Sequence, residues 1–343
     1  MKSVHEVLSL LVSISAPSGY EIPIISFLKS QVSAFPNLLI EEDVLGNLIV
    51  KKKGTSNRTI MLVAHCDEIG LTVKYIDEQG FISFTPIGGV DATLLKGKVV
   101  EIRHGVKTVK GVIGARPIHM SRTAKEIKNI DFSDLWIDIG AKNKEDAINL
   151  VSIGDPISFE VNYTELSNDL VVSKGLDNRS GVAVLLHIMK SIYDVNLDNN
   201  IVFVFSVQEE LGLRGVITAG YYVNPDIAIV IDVTHATDYP TINRNIYGDI
   251  HLGDGPVIPI GANFSMQIQN KLKSIAEKEG IPYQLDAIPG YSGTDAAELQ
   301  LQRGGCLSGL VSIPCRYMHT PTEIISSNDI AFTAAILLDF IKD

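Results

Sequence analysis

Residues 201–207, IVFVFSV, run directly into residues 208–212, QEELG. Seven residues rich in β-branched and aromatic side chains are typical of a strand that is covered on both faces of an α/β sheet. Ligands of such sheets bind outside the carboxyl ends of the strands. The adjacent carboxylates of Glu209 and Glu210 therefore indicate a functional site, although a solvated strand end would also explain an isolated pair of acids.

Length and composition predict a large folded protein. The 343 residues exceed the usual size of one domain, so we expect one large domain with an insertion or two domains. Hydrophobic residues make up 45% and charged residues 20% of the chain, a balance that supports a compact core. A net charge of -11 and the lack of a basic stripe argue against nucleic acid as a partner.

Cysteine usage and hydropathy predict a cytoplasmic protein with no membrane partner. Cys66, Cys306 and Cys315 form no C-x-x-C pattern, so neither a disulfide framework nor a thiolate zinc site is expected. No apolar run approaches the length of a bilayer span. Apolar residues recur at helical spacing over residues 4–14, which predicts an amphipathic helix rather than a signal sequence.

Alternating helix and strand patterns at both ends of the chain predict an α/β sheet. Before residue 70, the pattern predicts helices at residues 4–14 and 21–34 and strands at residues 38–40, 47–51 and 59–64. After residue 171, it predicts a helix at residues 181–190, strands at 201–207 and 227–231, a helix at 265–278, a strand at 309–313 and a last helix from residue 328.

The middle of the chain has a different texture. Short β-rich runs, broken by glycine, proline and charged residues, occur at residues 71–75, 81–85, 98–102 and 108–113. Such runs are typical of a small barrel or sandwich. We predict a mixed-sheet α/β domain, residues 1–69 plus 163–343, interrupted by a β-rich, barrel-like insertion at residues 70–162. Two consecutive domains are the alternative, but the N-terminal part alone offers too few strands to close a core.

A second predicted strand also ends in polar residues. The segment MLVAHCDE at residues 61–68 places His65 and Asp67 two residues apart, so both side chains can face one side of an extended chain. A lone histidine is more often structural than a ligand. The pairing favours a metal site, because a metal-bound imidazole usually needs a carboxylate or carbonyl on its other nitrogen.

Three further residues lie where elements begin or end. Asp177 precedes the helix predicted at residues 181–190, where capping of the helix is the simpler role. Asp232 follows the strand at residues 227–231, and His319 lies in the loop before the last helix. Together with Glu210, these side chains suit two divalent ions, because nitrogen and oxygen ligands favour zinc, cobalt or manganese. A bridging carboxylate can hold two such ions roughly 3.5 to 4 Å apart.

The chain resembles the tetrahedral and glutamyl aminopeptidases, a family of cytosolic dinuclear metallopeptidases. Motifs that carry the resemblance follow one another along nearly the whole chain: Pro17-Ser18-Gly19 with Glu21, residues 64–70, Gly111-Val112-Ile113-Gly114 with Pro117 and His119, residues 137–140, Leu176-Asp177 with Arg179, residues 208–212 with Arg214-Gly215, Asp232-Val233-Thr234, Gly253 with Gly255-Pro256, Gly293-Thr294-Asp295-Ala296, and Arg316-Tyr317 with His319.

The resemblance implies a ligand set for two metal ions, zinc or cobalt before manganese. It implies His65 and Asp232 on one ion, Glu210 and His319 on the other, and Asp177 as the bridge between them. It implies Glu209 as the general base and Asp67 as the carboxylate that orients His65. At position 178 many relatives carry aspartate where this chain has Asn178, which bears on local hydrogen bonding only. Cys66, often methionine in the family, is expected to be a buried neighbour rather than a ligand.

The implied activity is hydrolysis of the first peptide bond of peptides with a free N-terminus. The insertion resembles the family's assembly domain, which implies dimers that build a dodecamer. Alternatives are a related dinuclear deacylase or carboxypeptidase acting on N-acyl amino acids, a glycosidase with paired carboxylates, and a metal-stabilised scaffold without activity. The preferred N-terminal residue stays open between acidic, aliphatic and basic types.

Other polar residues carry weaker expectations. His187 lies in an apolar helical pattern and is expected to be a core or partly exposed side chain. His235 and Asp238 follow Asp232 closely and are expected either to line the site or to face solvent. Ser292 lacks the G-x-S-x-G context of a serine nucleophile, and Gly88-Gly89 forms no phosphate loop.

Overall fold

The computed structural model describes residues 4–117, 119 and 130–343. The strands of this part are β1 Leu39–Glu42, β2 Leu48–Lys52, β3 Thr59–His65, β4 Gly70–Ile76, β5 Ile82–Ile87, β6 Val99–His104, β7 Lys107–Ala115, β8 Leu135–Asp138, β9 Pro156–Phe159, β10 Thr164–Glu165, β11 Leu170–Ser173, β12 Asn200–Ser206, β13 Ile227–His235, β14 Val257–Ile260, β15 Gln284–Ala287, β16 Leu307–Arg316 and β17 Glu323–Ser326. Its helices are α1 Val4–Val12, α2 Ile22–Val32, α3 Lys144–Ile148, α4 Leu176–Ile192, α5 Arg214–Val223, α6 Arg244–Tyr247, α7 Met266–Glu279, α8 Asp295–Gln300 and α9 Ser327–Lys342.

One mixed sheet of 11 strands forms the larger part of the structure, in the order β1-β2-β12-β3-β13-β16-β17-β11-β10, with β14 and β15 attached to β16. Its centre is parallel, because β12, β3, β13 and β16 all run in the same direction. Parallel strands bring their carboxyl ends to one edge. Ser206 is paired with His65 there, and Asp232 lies two residues beyond Val230, which is paired with Val63.

Both faces of the sheet are covered, as the sequence of β12 predicts. Phe203 and Phe205 are buried in the apolar layer formed with α1, α2, α4, α7 and α9. Val202 and Val204 face the opposite layer, where the sheet packs against α5 and α8. Because successive side chains of a strand point to opposite faces, burial of all four requires helices on both sides. The predicted mixed α/β architecture is confirmed.

A second structural unit is a closed antiparallel barrel in the order β4-β5-β8-β7-β6-β9. It has its own apolar core, which includes Leu71, Val100 and Ile157. The barrel-like character predicted for the middle of the chain is therefore confirmed. Assignment of residues 70–162 to an assembly domain stays a prediction. No helix in the described ranges is both long and apolar enough to cross a bilayer.

Candidate functional site

A cavity of about 430 Å³ opens at the carboxyl edge of the parallel strands. Six of the predicted site residues line it: His65, Asp177, Glu209, Glu210, Asp232 and His319. His65 ends β3 and Asp232 lies near the end of β13, so the sheet itself places both side chains. The other four come from the loops and helix starts that follow neighbouring strands.

The first group of candidate ligands surrounds His65, whose side chain is buried. Its Nε2 atom lies 3.1 Å from Asp177 Oδ1 and 3.5 Å from Asp232 Oδ1. Glu209 Oε2 lies 4.0 Å from the same nitrogen. Ligand atoms of His65, Glu209 and Asp232 all fall within 4.8 Å of one another, which is compact enough for one metal ion.

The second group consists of Asp177, Glu210 and His319, whose ligand atoms also lie within 4.8 Å of one another. His319 Nε2 lies 3.3 Å from Asp177 Oδ2 and 3.5 Å from Glu210 Oε1. The two oxygens of Asp177 therefore face different imidazoles, Oδ1 towards His65 and Oδ2 towards His319. Asp177 thus belongs to the second group and also contacts His65 of the first, which is the position that a bridging ligand requires.

The electrostatics of the cavity fit bound cations. Burial and charge repulsion from Asp177 raise the pKa of Glu210 to about 8. Burial likewise raises the pKa of Glu209 well above its usual range. A hydrogen bond with Asp177 raises the pKa of His319 to about 9. Buried carboxylates so close together oppose one another's ionisation, and divalent cations relieve this repulsion. The donor set of imidazoles and carboxylates fits zinc, cobalt or manganese.

Asp67 does not line the cavity but contacts three residues that do: His65, Glu209 and Glu210. Its side chain is fully buried, and Oδ1 lies 3.5 Å from His65 Nδ1, at ion-pair rather than hydrogen-bond distance. Its two oxygens accept hydrogen bonds from the backbone N–H groups of Glu209, at 3.2 Å, and Glu210, at 3.1 Å. Burial opposes ionisation of Asp67, but contacts with His65, the Ser18 side chain and the Glu210 N–H lower its pKa. The carboxylate thus fixes one predicted ligand and the backbone of two acids.

A family model described as M42 glutamyl aminopeptidase matches residues 46–336. The chain belongs to the M42 glutamyl aminopeptidase family. The lysyl aminopeptidase of Pyrococcus furiosus is 34% identical over 308 residues, which are 88% of this chain and 87% of that protein. Among solved structures, aminopeptidase APDkam598 of Desulfurococcus kamchatkensis has a TM-score of 0.92 and 34% identity, covering 99% of this chain and 94% of its own.

The Pyrococcus horikoshii TET1 peptidase, described as assembling into a tetrahedron or a large octahedral shell, has a TM-score of 0.89 and 33% identity. The match covers 99% of this chain and 100% of that chain. These relatives confirm the predicted resemblance and show that this M42 family member is an enzyme that hydrolyses peptides. The M42 family is metal-dependent, and both candidate ligand groups lie in the cavity.

Glu323 is a site residue of this M42 protein that sequence reasoning did not single out. It is buried at the start of β17, where Oε2 accepts a hydrogen bond from the Asp177 backbone N–H at 3.0 Å. Oε1 accepts a second from the His319 N–H, also at 3.0 Å. Glu323 thus fixes the second ligand group as Asp67 fixes the acids. Its place four residues after His319, at the start of a strand, was the available signal.

The loop after β5 also reaches the site of the M42 protein. A Cβ atom added to Gly89 would lie 2.7 Å from His319 Nδ1, and one added to Gly88 would lie 3.1 Å from Glu210 Oε2. Close approach of backbone to a ligand side chain requires the missing Cβ. The sequence offered only the negative conclusion that these glycines form no phosphate loop.

Asp295 is a further buried acid beside the site. Its Oδ2 atom accepts a hydrogen bond from Ser206 Oγ at 2.8 Å, while Oδ1 has no partner within the described structure. Burial raises the pKa of this carboxyl to about 7. The sequence motif of residues 293–296 contained Asp295, but its spacing did not indicate which way the side chain points.

The structure also shows where the other polar residues considered in the sequence analysis lie. Asn178 donates from Nδ2 to the Ile231 carbonyl at 2.8 Å, a bond that an aspartate at this position lacks the N–H to make. Cys66 is buried and lies outside both ligand groups. His187 is exposed on α4, and His235 lines the cavity. Asp238 forms an ion pair with Arg316 at 2.6 Å instead of lining the cavity.

Proposed function

We propose that this M42 family member hydrolyses the first peptide bond of peptides with a free N-terminus, using two divalent ions held by His65, Asp232, Glu210, His319 and the bridging Asp177. The observation that carries the proposal is the position of Asp177, whose two oxygens face the two imidazoles at 3.1 and 3.3 Å. A cavity of about 430 Å³ suits a small substrate segment rather than an internal stretch of a folded chain.

When bound, the two ions supply Lewis acidity, which lowers the pKa of a water molecule and polarises the scissile carbonyl. Glu209 is the general base. Its backbone is held by Asp67, and its carboxylate lies 4.0 Å from His65 Nε2, facing the cavity. Glu209 accepts one proton of the attacking water as the new C–O bond forms. It returns this proton to the leaving nitrogen as the C–N bond breaks, so that an amine and a carboxylate are released.

The assembly and location of the enzyme form a second part of the proposal. The barrel of β4 to β9 joins subunits into a homo-oligomer, with a dodecamer as the expected form. A structural neighbour described as a dodecamer, PhTET1-12s, is matched over 100% of this chain at a TM-score of 0.89. The three cysteines are free thiols, which is consistent with a reducing cytoplasm. Sedimentation of metal-loaded protein as a strict monomer would contradict this assembly.

The activity is tested with leucine p-nitroanilide and its N-acetylated form, assayed on protein stripped of metal and reloaded separately with zinc, cobalt or manganese. We expect cleavage only of leucine p-nitroanilide, which has a free α-amino group, and only after the protein is reloaded with metal. Release of acetate from the acetylated substrate, without release of p-nitroaniline from leucine p-nitroanilide, would indicate the deacylase reaction. Full activity after exhaustive chelation would contradict the metal-dependent mechanism.

A further inference from the structure

One wall of the cavity is uncharged. Among the described residues that line the whole cavity, the acids are the four carboxylates of the proposed metal-binding and proton-transfer set, and none is a lysine or arginine. The rest of the lining is mainly apolar, with Leu213, Val233, Ile288, Leu310, Met318 and Tyr291. Small neutral hydroxyl side chains, among them Ser292 and Thr294, complete it, and these two hydroxyls lie 3.1 Å apart.

The strand register explains why this wall adjoins the ligands. Val230 is paired with Leu310, and Asp232 is paired with Ser312, so the four side chains lie on one face of the sheet. On this face, the apolar pair Val230 and Leu310 is followed, two residues nearer the carboxyl edge, by the candidate ligand Asp232 and its partner Ser312. Leu213 and Leu310, only 4% and 1% exposed, belong to the apolar layer against which Ile288 also packs. The wall is therefore a rigid extension of the core.

This wall faces the place that the first side chain of a substrate must occupy. The scissile carbonyl has to reach the ligand groups, and the side chain of the N-terminal residue branches from the adjacent carbon. One side of the cavity is taken by the ligand groups, so the side chain lies against the uncharged wall. Outside the two ligand groups, the titratable lining residues are His235 and Tyr291. Burial and the charge of His319 lower the pKa of His235, and burial raises the pKa of Tyr291, so neither supplies a fixed charge.

We propose that the cavity selects N-terminal residues with uncharged, mainly apolar side chains, such as leucine, methionine and phenylalanine, over lysine, arginine, aspartate and glutamate. This specificity rests on the proposed aminopeptidase function. An apolar side chain gains free energy by leaving water against this wall. A charged side chain loses its hydration there and finds no opposite charge among the described residues of this wall.

The test uses pairs of p-nitroanilides that differ in charge and little in shape, assayed on the metal-loaded oligomer: norleucine against lysine, and glutamine against glutamate. We expect kcat/KM to be at least about tenfold higher for the neutral member of each pair, as is typical of apolar pockets. Equal or better cleavage of the lysine or glutamate substrate would overturn the specificity and leave the aminopeptidase function standing. Failure to cleave any free aminoacyl substrate would overturn the function itself.

A matched pair of variants locates the effect. Ile288→Asp places one negative charge on the wall and is expected to raise the lysine-to-norleucine ratio of kcat/KM by at least about tenfold. Leu285→Asp adds the same charge on β15, where Leu285 is 46% exposed and outside the cavity lining, and is expected to leave the ratio unchanged. An equal shift in both variants would show that general charge, rather than contact with the wall, sets the preference, and would overturn the proposal.

Discussion

Substitution of Asp67 by asparagine tests how the site is held in place. The Asp67 carboxylate accepts the backbone N–H groups of both Glu209 and Glu210 and contacts His65. An asparagine keeps one acceptor oxygen and replaces the other with an NH2 donor. One of the two buried N–H groups therefore loses its acceptor and meets another donor. Because the two side chains have nearly the same volume, the packing around the site is expected to stay unchanged.

The size of the effect follows from the lost hydrogen bond. A hydrogen bond to a charged acceptor contributes about 1.5–3 kcal/mol. If this loss falls on the geometry of the ligands, it weakens metal affinity or kcat/KM by about tenfold to a hundredfold, the range typical of residues that orient metal ligands. Metal affinity is measured by competition with a chromophoric chelator, and kcat/KM with leucine p-nitroanilide.

Asp329 supplies the matched control. It is buried to the same degree as Asp67, at 0% exposure, and accepts the backbone N–H groups of Gly253 and Gly255 at 2.8 and 2.9 Å. It lies outside the cavity lining. We expect Asp329→Asn to lower stability but to leave metal affinity unchanged. The reasoning is refuted if Asp67→Asn keeps wild-type metal affinity and kcat/KM, or if Asp329→Asn weakens metal binding equally.

Three further perturbations probe other contacts. Gly89→Ala places Cβ 2.7 Å from His319 Nδ1 and is expected to lower kcat/KM by up to about 100-fold. Gly304→Ala is the control, because a Cβ there has no atom within 4 Å, and it is expected to leave kcat/KM unchanged. Equal kcat/KM in the two variants would contradict this. Lys174 and Glu68 form an ion pair in which both side chains are 2% exposed, so Lys174→Met leaves the Glu68 carboxylate buried without its partner. We expect the free energy of unfolding, measured by urea titration, to fall by about 3–5 kcal/mol. Adding Glu68→Gln is expected to restore much of this loss. A hydrogen bond with Asp177 raises the pKa of His319 to about 9, so a metal ion bound by His319 must displace a proton below that pH. Metal affinity measured by chelator competition should therefore fall as pH falls, and a flat profile refutes this.

Much of the fold and site was predictable from strand ends. Buried runs such as residues 201–207 mark parallel strands, and parallel strands bring His65 and Asp232 to one edge whatever the loops do. Residues that act through backbone contacts were not predictable. Glu323 works through the N–H of Asp177, and Gly89 works through the space it leaves beside His319. Neither a periodic pattern nor a spacing rule reports which loop packs against which ligand.

The division of labour between Glu209 and Glu210 is the central claim, and metal content per subunit tests it most directly. Glu209→Gln and Glu210→Ala are compared with the wild type by elemental analysis after equilibration with zinc. We predict two ions per subunit in the wild type and in Glu209→Gln, which loses activity because the general base is absent, by about 100-fold or more. Glu210→Ala is predicted to hold less metal. Equal metal content in the two variants would contradict the assignment.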